Sequence, residues 1–307
     1  MLITSLADWV ELMAIQGYRA PWPNVVDAMI DATGQRFYMS SMTGMSVFGL
    51  NGDDGEGDEE ADLGCSVKSV LEFRSQTLKN KYPFYFNEQN CLSLKEGFSI
   101  NRNAYVSLLM ISLIKGWIDD IKAHQICYRL FEHITKEAFI HEGFSATLTG
   151  TAIEGRFEEK VDRVGKELGV NVNPDACRRS KHAKDDGVDV VTAKLFRDNR
   201  QGEVFILVQA TCSKDSKWSA KLNDTPSARW RGYLIAQLTP LCILSVPYHV
   251  SSEVEERLMG VDSARTFIDR IRLVKMLSQK LSLADANMKM QYNELRKYVK
   301  DFYCLEI

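Results

Sequence analysis

The sequence has no apolar run long enough to cross a membrane, which takes about 18 residues or more. The longest apolar stretch, AYVSLLMISLIKGW at 104–117, is shorter and contains Lys115, so we expect a buried helix there. The opening residues, MLITSLADWVELM, have neither a basic start nor a small-residue cleavage site and do not predict a secretory signal peptide. We therefore expect a cytoplasmic protein that has no membrane partner.

Cysteine pairs of the kind that bind zinc are also missing. The seven cysteines are scattered, without a CxxC spacing, at positions 65, 91, 127, 177, 212, 242 and 304. Most stand in apolar surroundings, which favours buried thiols in a reducing compartment over disulfides or a zinc site. The phosphate-binding pattern GxxxxGK[ST] is absent too, so an ATP-driven function would need a second protein, such as an ATPase or a helicase.

The chain has a net charge of −3, and its charged side chains are unevenly distributed between its two halves. Residues 1–145 contain 12 basic and 19 acidic side chains, whereas residues 146–307 contain 26 and 22. The basic half is better suited to a polyanion, and DNA is the partner that we expect. The alternative is a chance placement of surface charge.

Two basic segments of that half are candidates for nucleic-acid contact. RRSKHAK places Arg178, Arg179 and Lys181 in one loop, where phosphate contact and a solvated basic loop are both open interpretations. In SARWRGY, Arg229 and Arg231 alternate with aromatic residues, a pattern that suits contact with a nucleic-acid backbone or stacking on a base. The alternative for this second segment is a packed tryptophan flanked by arginines whose charged ends reach solvent.

The spacing of apolar residues changes near ATLTG at 146–150. We expect a mostly helical N-terminal domain before it, over residues 1–145. After it the pattern predicts a helix at 152–169, strands at 187–196, 203–212 and 240–247, and helices near 216–223, 251–259, 263–280 and 284–302. This order is typical of an α/β sandwich.

Two polar residues stand in the first two of these predicted strands. Asp189 follows DDG at the start of one strand, and Gln209 lies near the end of VFILVQA in the next. A buried amide or carboxylate is costly unless it is hydrogen-bonded or bound to a cation. We therefore expect Asp189 and Gln209 to meet at one end of a central sheet.

A helical glutamate is the third member of the expected group. The helix that contains RFEEKV has an apolar stripe, and Glu154 lies nearer to the stripe than Glu158 does. Either residue could join Asp189 at the end of the sheet. Both could equally be ordinary carboxylates at the edge of a buried helix.

The motifs RFEEKV, DGVDVV and ILVQAT follow one another in an order that resembles the PD-(D/E)xK superfamily of restriction-endonuclease-like nucleases, over about residues 150–250. The resemblance implies a restriction-endonuclease-like αβ sandwich core in residues 146–307. It implies an Mg²⁺- or Mn²⁺-dependent DNA endonuclease of the bacterial antiphage defence or restriction branch. The implied metal ligands are Asp189, Gln209 and Glu158, with Glu154 as the second choice for the glutamate.

One position departs from the superfamily pattern. Thr211 stands where a lysine is expected, and threonine cannot supply a positive charge. A displaced lysine would have to replace it, and Lys221 and Lys214 are the favoured catalytic candidates. The alternative is a catalytically decayed nuclease fold that acts as a nucleic-acid-binding or assembly subunit.

Overall fold

The computed structural model describes residues 2–22, 24–28, 56–173, 186–198, 202–224, 226–259, 266–283 and 286–303. Contacts divide the chain into two compact units, the first ending at Phe98 and the second beginning at Ser99. The predicted joint at 146–150 therefore lies inside the second unit, because the helices before it pack against the sheet that follows. Among the described residues, no helix is both long enough and apolar enough to cross a membrane.

The described part of the first unit contains helices and a small hairpin. Its elements include α1 (Leu2–Ile15), α2 (Glu56–Leu78), a 3₁₀ turn (Lys79–Lys81), β1 (Phe84–Phe86) and β2 (Leu92–Leu94). Arg74 of α2 is fully buried and lies 2.8 Å from Asp8 and 2.9 Å from Glu11, both on α1. Tyr82 donates a 2.6 Å hydrogen bond to Glu11. This buried polar cluster joins the two helices to the start of the hairpin.

The second unit has a mixed α/β composition, which confirms the predicted class at that level. Its elements in chain order are α3 (Ala104–Trp117), α4 (Ile121–His141), β3 (Ser145–Leu148), α5 (Phe157–Leu168), β4 (Val190–Lys194), β5 (Val204–Ala210), a 3₁₀ turn (Asp215–Lys217), α6 (Trp218–Asn223), α7 (Ser227–Tyr233), β6 (Leu241–Ser245), α8 (Ser252–Met259), β7 (Thr266–Ile268), α9 (Arg270–Met276) and α10 (Ala286–Tyr303).

The described strands of this unit form one five-stranded sheet in the order β3-β4-β5-β6-β7. The first three strands are antiparallel to one another, and Val190 of β4 lies opposite Val208 of β5. β6 runs parallel to β5 and β7 runs parallel to β6. Parallel neighbours need a crossover connection, and α6 and α7 lie in the one between β5 and β6.

Helices cover both faces of the sheet. On one face, Val191 and Leu207 pack with the apolar stripe of α5 and with Trp230 of α7. On the other, Val190 and Val208 pack with Phe139 of α4. Alternation of side chains along each strand assigns every strand residue to one of these two faces. The predicted strands within 187–196, 203–212 and 240–247 are confirmed as β4, β5 and β6.

Two strands stand where the sequence pattern predicts other structure. β3 occupies most of the predicted joint, and β7 lies inside the predicted helix 263–280. Both are only three or four residues long, too short to carry a strand period, and pairing with β4 and β6 defines them. The helix predicted from 152 begins at Phe157, because the Arg156 N–H donates to Glu159 and caps the first turn.

A candidate carboxylate site at the end of the sheet

Asp189 is held by backbone bonds where β3, β4 and β5 meet. Its N–H donates to the carbonyl of Val208 at 2.9 Å, although Val190 is the residue paired with Val208. Two successive residues therefore face one residue of β5, which is the arrangement of a β-bulge. The Asp189 carbonyl accepts hydrogen bonds from Thr149 and Gly150 at 2.8 and 3.1 Å. The bulge explains why Asp189 does not follow the simple alternation of β4.

The carboxylates of Asp189 and Glu132 approach each other across Gly150. A Cβ built on Gly150 would lie 2.5 Å from Asp189 Oδ1 and 2.6 Å from Glu132 Oε2. The second oxygen of Asp189, Oδ2, accepts a 2.8 Å bond from the N–H of Ala210 on β5. The two acidic groups thus share a space that only a glycine at position 150 leaves open.

Glu132 comes from α4 and is 2% exposed. Its Oε1 accepts bonds from the N–H and hydroxyl of Thr151 at 3.0 and 2.5 Å, and its Oε2 accepts from the N–H of Ala152 at 2.8 Å. The helical glutamate beside Asp189 is therefore on α4, and the sequence pattern does not single it out. The available indication was a glutamate among the apolar residues of this helix, such as Phe131 and Ile134, but Glu137 is buried on the same helix and shares that indication.

Lys160 of α5 reaches the same turn from the other side. It is 5% exposed, and its Nζ donates to the carbonyls of Thr149 and Gly150, at 2.9 Å in each case. Lys160 stands three residues after Phe157 and four before Val164, which places it on the apolar stripe of the helix. A charged residue on a buried stripe is the pattern that could have identified it.

Gln209 and Lys221 line the same depression beside the sheet end. Alternation along β5 puts Gln209 on the face of Leu207, and Gly187 and Asp224 also line the depression. Asp189 instead points towards α4, on the face of Val208. The structure therefore brings Asp189 together with Glu132, and Gln209 together with Lys221, on the two faces of one sheet end.

The other predicted site residues lie outside these two groups. Glu158 is part-exposed in the first turn of α5, close enough for its charge to act on Arg156, and Glu154 is exposed in the preceding turn. Lys214 is exposed ahead of the 3₁₀ turn at Asp215–Lys217. Sequence spacing cannot place such residues, because the loops before α5 and α6 decide where their side chains go.

The basic residues proposed for nucleic-acid contact have defined partners where they are described. Arg229 Nε bonds both oxygens of Asp186 at 2.9 and 3.1 Å, and this hydrogen bond is the main cause of its raised pKa. Arg231 donates to two backbone carbonyls after α7, and Trp230 is fully buried in the core. Arg178, Arg179 and Lys181 lie outside the described residues.

The carboxylate pair has the chemistry that a hard divalent cation requires. Mg²⁺ binds through one or two carboxylates and keeps several waters, so Asp189 and Glu132 fit it without further protein ligands. Within the described part of the chain, no three side chains of His, Cys, Asp or Glu form a metal-binding group. The two carboxylates alone could hold such a cation only with water as its remaining ligands.

Comparison of the chain with protein-family models, with curated proteins and with solved structures found no match in any of the three.

Proposed function

We propose that the protein is an Mg²⁺- or Mn²⁺-dependent DNA endonuclease that hydrolyses phosphodiester bonds. The observation that carries the proposal is the meeting of the Asp189 and Glu132 carboxylates across Gly150. Two acidic groups that are brought together inside a protein repel each other unless a cation or a proton offsets their charge. Residues from three separate segments hold this arrangement: α4, the turn at Thr149–Gly150 and the segment just before β4.

The order of elements supports a restriction-endonuclease-like core. A helix with a glutamate, α4, precedes the antiparallel strands β3, β4 and β5, and two short helices then lead to the parallel strand β6. This succession follows the pattern of the superfamily that the motifs DGVDVV and ILVQAT resemble. The proposal assigns the role of the helical glutamate to Glu132 in place of Glu158.

Each group at the sheet end has a distinct task in this function. A bound cation would polarise a phosphate oxygen and lower the pKa of the attacking water. Asp189 and Glu132 hold that cation. Gln209 and Lys221, on the other face, bind the phosphate backbone next to the cleaved bond, where an amide and an ammonium group both donate hydrogen bonds. A role in antiphage defence or restriction follows the resemblance, with an ATPase or helicase as the partner protein.

Plasmid cleavage tests the proposal directly. Supercoiled DNA is incubated with the protein and millimolar Mg²⁺ or Mn²⁺, and nicked and linear products are measured. Asp189→Asn should lower the rate by about a hundredfold or more, because a cation ligand is lost. Asp162→Asn, an exposed aspartate on α5, is the matched control and should cleave at the wild-type rate. Equal cleavage by both variants would refute the assignment.

A decayed nuclease fold that binds nucleic acid or assembles with a partner is the second candidate. Its specific support is that both Glu132 oxygens already accept hydrogen bonds and that Gln209 lies on the other face from Asp189. Thr211 is consistent with it as well. DNA binding that persists without cleavage in Mg²⁺, Mn²⁺ or Co²⁺ would favour this candidate over the nuclease.

A further inference from the structure

Lys160 is a buried cation on the apolar stripe of α5. Its ammonium group donates to two backbone carbonyls, those of Thr149 and Gly150. Carbonyl groups stabilise an ammonium ion only in part, and a buried charge generally needs an opposite charge nearby. The carboxylates that flank this same turn are Asp189 and Glu132.

The turn itself connects Lys160 to both carboxylates. The N–H groups of Thr149 and Gly150 bond the Asp189 carbonyl, and the next two residues bond Glu132 through their N–H groups. Anchoring the carbonyls of this turn therefore fixes Gly150 between the acidic groups. Any movement of the turn would change the distance between the two carboxylates.

We infer that Lys160 is the positioning residue of the site, holding the Thr149–Gly150 turn between the two carboxylates and supplying the positive charge that Thr211 lacks. The inference rests on the proposed function, because it assigns a task within the cleavage site. It differs from the expectation of a lysine displaced to Lys214 or Lys221, since Lys160 precedes β4 in the chain.

A double-mutant cycle separates charge compensation from simple anchoring. The urea midpoint of unfolding is measured for wild type, Lys160→Met, Asp189→Asn and the double variant. Removing the ammonium group leaves the carboxylates uncompensated, so the shift caused by Lys160→Met should fall by at least half in the Asp189→Asn background. Lys166→Met, exposed on the same helix, is the control and should shift the midpoint equally in both backgrounds.

Mn²⁺ affinity provides a second measurement. If Lys160 only anchored the turn, its loss would not tighten Mn²⁺ binding. Lys160→Met should tighten Mn²⁺ binding by about tenfold in calorimetry, because a charge that repels the cation is gone. Lys160→Gln keeps a hydrogen-bond donor without the charge and should also tighten binding. It serves in both experiments if the methionine variant does not fold. Both variants should lose DNA cleavage, whereas Lys160→Arg should retain part of it.

The outcomes distinguish this inference from the nuclease function. Equal midpoint shifts in both backgrounds, together with unchanged or weaker Mn²⁺ binding, would overturn the role of Lys160 while cleavage by the wild type still supported the nuclease. Strong coupling in a wild type that never cleaves DNA would overturn the nuclease and the catalytic task assigned here. It would leave Lys160 only as the counter-ion of the carboxylate pair.

Discussion

The carboxylates of Glu132 and Asp189 meet over the one residue of their turn that has no side chain, Gly150. One comes from the middle of a helix and the other from a bulge before a strand. This relationship is testable from both sides, by closing the space above Gly150 and by removing each acid.

Gly150→Ala should disrupt the site by steric overlap. The added methyl group would lie 2.5 Å from Asp189 Oδ1 and 2.6 Å from Glu132 Oε2, so both carboxylates must move. We expect a loss of stability of about 1–3 kcal/mol, as for other overpacked positions, together with loss of cation-induced stabilisation. Thermal unfolding with and without millimolar Mn²⁺ measures both effects.

Gly232→Ala is the matched control for that substitution. Gly232 lies in α7, and a Cβ built there meets nothing within 4 Å. Its replacement should stabilise the helix by up to about 1 kcal/mol and leave the response to Mn²⁺ unchanged. Similar losses in both glycine variants would show that the contact above Gly150 has no special role.

Two glutamate variants decide which helix supplies the acidic ligand. Glu132→Gln should abolish the rise in melting temperature that Mn²⁺ gives to the wild type, because it removes half of the carboxylate pair. Glu158→Gln should leave that rise intact, because Glu158 is part-exposed at the start of α5. The reverse result would restore the ligand set implied by the sequence resemblance.

Thr211→Lys should destabilise the protein without raising the rate of DNA cleavage. Thr211 is 6% exposed, and its hydroxyl bonds the N–H of Ser213 at 3.2 Å. A lysine there loses this bond and buries a longer charged chain, at a cost of about 1–3 kcal/mol. Thr211→Ser keeps the hydroxyl and should stay within about 1 kcal/mol of wild type. Urea unfolding and plasmid cleavage of the two variants check the prediction.

The free energy of unfolding should fall as the pH rises through the titration range of Glu137. Burial raises the pKa of this carboxyl above its ordinary 4.5, and a hydrogen bond from Ser282 and the charge of His141 act in the opposite direction. The folded state therefore binds the proton more tightly than the unfolded chain does. The contribution of this carboxyl to stability is fully present below the ordinary pKa and is lost as the pH rises through the raised one.

Urea unfolding of Glu137→Gln at several pH values measures that slope. The variant should show a smaller decrease than wild type, with some slope remaining because burial also raises the pKa of Asp269. Glu142→Gln, an exposed position on the same stretch of chain, should keep the wild-type slope. A wild-type slope in Glu137→Gln would contradict the prediction.

Two buried thiols should resist alkylation in the native protein. Burial raises the pKa of Cys127 to about 12 and that of Cys212 well above its ordinary value. Since the thiolate is the reactive form, iodoacetamide at about pH 8 should leave both residues unmodified while it labels exposed Cys65. Peptide mass spectrometry reports each site, and urea-unfolded protein provides the fully labelled reference.

The strands around the site were predictable because they are long and apolar on both faces. The apolar composition of VFILVQA alone predicts a central strand. Its pairing with the strand after Asp189 follows from the short segment that connects the two strands. Three-dimensional packing decides the remaining features. The bulge that turns Asp189 towards α4 involves the hydrogen bonds of Thr149 and Gly150 to the Asp189 carbonyl. The spacing of residues in the sequence does not predict this bulge. Glu132 lies far from Asp189 in sequence, so local spacing does not predict their contact either.

The parallel pairing of β5 with β6 has a consequence for the order of folding. β4 and β5 form a local hairpin, whereas β6 pairs only after the chain has passed through α6 and α7. Contacts between distant residues form more slowly, because the loop between them must be closed first. During that delay the edge of β5 is open to pairing with another chain. Rapid refolding at high concentration should therefore favour aggregation through the VFILVQA segment.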